Sequence, residues 1–79
     1  MRAKDWVTEE IDLEGYPVRV ITYRIGDSFV TEVESTSSGA VIARSAGKTQ
    51  EAVQRETLET ATRRLLRARR IDPGLTVGG

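Results

Sequence analysis

The stretch RRLLRARR, residues 63–70, places five arginines in eight positions of a 79-residue chain. A guanidinium presents a planar fork of donors that matches carboxylate and phosphate oxygens. The run is therefore a candidate contact for nucleic acid or for an acidic protein surface. At about 100° per residue, Arg63, Arg67 and Arg70 share one outer helix face, and Arg69 falls near the apolar flank. Glu56 and Glu59 lie on that outer face one and two turns earlier. Glu59 precedes Arg63 by four residues, the order that favours an ion pair. Acid early and base late also complements a helix dipole, so the same run reads as the solvated end of a helix. Sequence leaves both readings open.

The other candidate chemistries are weaker. GKT at 47–49 stands between a strand-like and a helix-like segment, where a phosphate loop would sit. That loop needs a glycine five positions before Gly47, and Ile42 is there. Ser45 and Lys48 have the Ser-x-x-Lys spacing of a nucleophile and its base, but that chemistry needs both on one helical turn, and here Gly47 falls between them just before the helix cap. Glu10, Asp12 and Glu14 alternate along the first strand-like segment and read as a solvated carboxylate row, without the loop glycine of a calcium site. Trp6, Tyr16, Tyr23 and Phe29 are the aromatics, and core packing is favoured over base stacking. The chain has neither cysteine nor histidine. Disulfides, thiolate metal sites and the commonest general base are thereby excluded. We expect no enzyme activity, no cofactor, no metal and no small-molecule substrate.

These residues must be positioned by a small domain, and four strands and a helix are legible. Val7, Glu9, Ile11 and Leu13 alternate with polar residues, and Gly15-Tyr16-Pro17 marks a turn. VRVITYRI (18–25) and FVTEVES (29–35) flank a Gly-Asp pair suited to a tight hairpin. TSSG (36–39) turns the chain into AVIARS (40–45). Short turns imply antiparallel pairing. Thr49 is a good N-cap, with Glu51 in the first turn. Val53, Thr57, Leu58, Ala61, Leu65 and Ala68 then recur at helical spacing, which predicts a helix over about 50–70. The expected fold is α+β in two layers: a three- to four-stranded antiparallel meander packed by one long C-terminal helix, ββββα or βββα. One domain spans 1–72, and 73–79 is expected to be a flexible tail.

The net charge is zero, yet residues 1–34 hold four basic and eight acidic side chains, and 35–79 hold eight basic and four acidic. That asymmetry suits attraction between halves or between subunits. If Val18, Val20 and Val30 line a sheet face that the helix leaves bare, a second copy would cover it. A homodimer is therefore expected, in a soluble cytoplasmic protein with no membrane span.

Two families share this design. Residues 28–66 resemble the second half of a double-stranded-RNA-binding domain, with Gly47 and Thr49 at matching places. That family grips phosphates with lysines at the helix start, where this chain has Lys48 followed by Gln50 and Glu51. GKTQEAV (47–53) is similar to the G-x-T-x-E-E-A helix start of HicB-like antitoxins, small domains that sequester a toxin and often dimerise. The sequence reading is a small binding or regulatory module acting through protein–protein contact. The alternative is nucleic-acid binding by Arg63, Arg64, Arg67 and Arg70 with Lys48.

Overall fold

Two-residue turns set the register of the first three strands. A computed structural model of the chain describes the backbone of residues 3–76 and the side chains of residues 3–68. Its elements are β1 (Ala3–Leu13), β2 (Tyr16–Ile25), β3 (Ser28–Ser35), β4 (Val41–Gly47) and α1 (Gln50–Thr76). The strands form one antiparallel meander in the order β1-β2-β3-β4. The β1–β2 turn is Glu14-Gly15, both with positive φ (54° and 86°), as a turn matched to strand twist requires. The expected turn lay one residue later: Tyr16 and Pro17 already belong to β2. At the β2–β3 turn, Gly26 (φ 61°) supplies the left-handed residue.

The registers place Val18, Val20 and Thr22 on the same side as Thr31, Val33 and Ala43. This side is covered by α1, which lies on β3 and β4. Val18, Val20, Val33 and Ala43 cluster with Ala61 of the helix, and Ile11, Leu13, Ile42 and Leu58 pack around them. The idea that Val18 and Val20 line the bare face is thus overturned, although Val30, paired with Tyr23, does point that way. Both faces of β2 carry apolar residues, so alternation alone could not choose between them.

Two features seat the helix. Gly47 closes β4, and a Cβ there would stand 2.9 Å from Val53 Cγ2, so only glycine lets the first turn of α1 come this close. Deeper in, Gln54 Nε2 donates to Thr22 Oγ1 (3.0 Å), which shares a hydrogen bond with Thr31 Oγ1 (3.0 Å). The hydroxyl of Thr57 donates to the Val53 carbonyl at 2.6 Å. Three buried threonines are therefore satisfied at the helix–sheet interface, where an unpaired hydroxyl would cost about 1–3 kcal/mol. Thr49 caps the helix as expected: its Oγ1 accepts from Ala52 N (3.4 Å) and its carbonyl from Val53 N (3.1 Å).

The helix runs beyond the expected residue 70. Its backbone continues through Pro73 and Gly74 to Thr76, so the first four residues of the expected tail are helical. Residues 77–79 lie outside the described residues.

Gly47→Ala forces Val53, held rigid at 2% exposure, out of place. We expect a loss of about 1–3 kcal/mol in urea unfolding, as for other overpacked sites. Unchanged stability would show that α1 does not depend on this close approach.

Candidate interaction surfaces

Both sheet faces are closed, by different means. On the side away from α1, long polar side chains bridge the strands. Arg19 on β2 donates to Glu34 on β3 (2.8 Å) and to Glu10 on β1 (3.3 Å). These hydrogen bonds, to Glu34 first and then Glu10, raise the Arg19 pKa above its ordinary value. One step along, Glu32 accepts from the Tyr23 hydroxyl (3.0 Å) and from Arg44 Nε (3.2 Å). The Arg44 pKa is also raised, by Tyr23 and then Glu32.

At the end of this face stands Trp6. The β1–β2 register slips between Lys4 and Val7, and Asp5 takes φ 56°, a conformation that aspartate tolerates better than most residues. The extra residue sets Trp6 over Tyr23, stacked with ring centroids 4.3 Å apart and planes 25° apart. Trp6 keeps 59% of its surface exposed, so it is a lid on Tyr23 and not a core residue. Base stacking was the disfavoured reading of the aromatics, and packing does account for Tyr23. The exposed half of Trp6 was not foreseen.

The expected carboxylate row is broken. Glu10 is tied to Arg19, Asp12 remains exposed on the same face, and Glu14 leaves the alternation to form the turn. No group of three carboxylates close enough to hold a metal ion is found among the described residues. Ser45 and Lys48 share no hydrogen bond; Ser45 lies in β4 opposite Thr31, and Lys48 is exposed beyond the strand end.

The arginine run is dispersed by the structure. Arg63 Nη2 donates to Thr60 Oγ1 (3.3 Å) and forms no ion pair with Glu59, the partner that spacing suggested. Thr60 is one residue nearer along the turn, and an exposed pair with Glu59 contributes little to offset side-chain ordering. Arg64 turns back to the sheet, where its Nη1 donates to the Ile42 carbonyl at 2.7 Å. Ile42 is the extra residue of a second bulge, between the Val33–Ala43 and Glu34–Val41 pairs, so Arg64 satisfies an edge carbonyl that pairing leaves free. Arg67 is exposed, with no carboxylate partner among the described residues. The side chains of Arg69 and Arg70 lie outside the described residues. Lys48 is 15 positions before Arg63, about 22 Å along the helix, and does not join the arginines.

The dipole account of this run also weakens. With α1 ending at Thr76, the arginines occupy the body of the helix and its last turn holds no basic residue. The dipole acts mainly within the terminal turn. Beside the run, Arg55, Leu58, Glu59, Thr62 and Arg63 form an open hollow of about 570 Å³ along one flank of α1. Among the described residues no helix is long and apolar enough to cross a membrane. Compared with known proteins, the chain matches no family model, no curated protein and no solved structure.

Stacking makes Trp6 a modest contributor to stability. Trp6→Ala should cost about 1 kcal/mol, and Trp6→Phe, which keeps an aromatic plane over Tyr23, less than half of that. Equal losses in thermal melts of the two variants would mean that stacking with Tyr23 contributes nothing.

Proposed function

We propose that this chain is a small non-enzymatic binding module that acts through protein–protein contact, as a homodimer. The observation that carries the reading is surface charge of both signs that no ion pair engages among the described residues. Arg63 and Arg67 are exposed on α1 without carboxylate partners, whereas Glu9 and Asp12 are exposed on β1 without cationic ones, among the described residues. Unengaged charges of both signs are available to a second molecule, where they set orientation and speed encounter. The core adds a second reason: its buried apolar residues are mostly valine and alanine, a modest yield for a domain of this size. The similarity of GKTQEAV to HicB-like antitoxins agrees with such a role.

One observation favours nucleic acid: Arg63 and Arg67 stand one turn apart, exposed and without ion pairs among the described residues. Against it, Glu56 and Glu59 are exposed on the same outer face, Arg64 is engaged with β4, and Lys48 is remote. A phosphate backbone would meet two carboxylates for its two free arginines.

Sedimentation equilibrium and fluorescence anisotropy with short DNA and RNA duplexes separate the two. We expect a dimer mass and no duplex binding at low salt. Duplex binding that weakens steeply with salt, and is lost in the triple variant Arg63→Ala, Arg67→Ala, Arg70→Ala, would replace this reading with the nucleic-acid one.

A further inference from the structure

The bare face of the sheet has an unusual composition for a solvated surface. Its charged side chains on β1–β4 are Glu10, Asp12, Arg19, Glu32, Glu34 and Arg44, and both cations are engaged by carboxylates of the same chain. Beside them lies Trp6, 59% exposed, with one side of its ring on Tyr23 and the other open. A net-negative surface around an open indole repels phosphates and attracts cations. Tryptophan is the best aromatic partner for a guanidinium, which can stack on the ring while bonding nearby carboxylates.

A segment of matching chemistry lies on the same chain. The 27 residues of α1 extend about 40 Å, whereas the seven of β4, on which it lies, extend about 23 Å. The helix therefore outruns the sheet. Ala68 shows where: it continues the apolar spacing of Ala61 and Leu65, which are buried, yet it is exposed. The stretch at and just before this point presents Arg63 and Arg67, both free of ion pairs among the described residues, with Leu66 38% exposed between them.

We propose that this stretch of α1 seats on the Trp6 face of a second copy, and that the second copy returns the contact about a two-fold axis. Arg67 stacks on the open side of Trp6, Arg63 reaches the carboxylates of Glu10 and Asp12, and Leu66 supplies apolar contact. Reciprocal exchange closes the pair; the same contact made in one direction only would propagate into a chain of molecules. The proposal rests on the self-association reading and gives it an interface.

Trp6 is the only tryptophan, so its emission reports on this face alone. The full chain would be diluted stepwise while mass is followed by sedimentation velocity and Trp6 by fluorescence. We expect the emission to shift over the same concentrations at which the dimer dissociates. We expect the double variant Arg63→Glu, Arg67→Glu to dimerise at least about tenfold more weakly, as like charges then meet across the contact. Neither arginine pairs with a carboxylate among the described residues, so far-UV dichroism should be unchanged; melting should fall only slightly, from loss of the Arg63–Thr60 hydrogen bond and the like-charge row with Glu59. A dimer whose Trp6 emission ignores dilution, or one that survives the double reversal, overturns this interface and leaves self-association standing through another surface. A monomer at every concentration overturns both.

Discussion

The seat of α1 on β3 and β4 is the constraint from which the rest follows. Gly47 admits Val53 to near contact, and Gln54 reaches across to the Thr22–Thr31 pair. Together they fix where the helix starts, which strands it covers and how its faces are turned. A β-carbon at residue 47 or an apolar residue at 22 would disturb that placement, the first by volume and the second by leaving buried polar groups unpaired. Once the seat is fixed, Ala61 and Leu65 must face the sheet, and the helix must leave the sheet near Ala68.

The two faces of the sheet are consequently closed by different physics. Under α1 the closure is hydrophobic, with small branched residues on the strands meeting alanine, valine and leucine on the helix. On the other side no element among the described residues covers the strands, and the closure is made by ion pairs and one aromatic stack. Such pairs, partly in water, contribute little stability individually; they spread long aliphatic stems over the sheet and keep its surface polar. Trp6, with Val41 at the edge, marks where this closure is incomplete.

Much of the architecture was legible because its signals are local. The Gly15 and Gly26-Asp27 turn signals, β-branched runs between them and a change of period after Thr49 specify four strands and a helix. What sequence could not supply was long-range. The face of β2 that meets the helix was ambiguous because Val18, Val20 and Thr22 compete with Ile21 and Tyr23. Neither bulge has a turn signature, so the setting of Trp6 by Asp5 and the capture of the Ile42 carbonyl by Arg64 were hidden. The arginine run was visible, but the division of its three described side chains into one bound to the sheet and two without ion pairs depends on the edge of β4. Pro73 and Gly74 suggested an end to the helix that its backbone passes through, since local punctuation is only a tendency.

The most direct test places labels on the two surfaces that are proposed to meet. The chain has no cysteine, so Asp27→Cys, in the β2–β3 turn at the Trp6 end of the sheet, and Ala68→Cys, exposed on α1 beside the contact, can each carry one dye in separate preparations. Mixing donor-labelled and acceptor-labelled chains and reading energy transfer measures only the distance between copies. Strong transfer, abolished by excess unlabelled protein, is the result expected when each helix lies on its partner's Trp6 face. A mixed dimer that forms without transfer would contradict that arrangement.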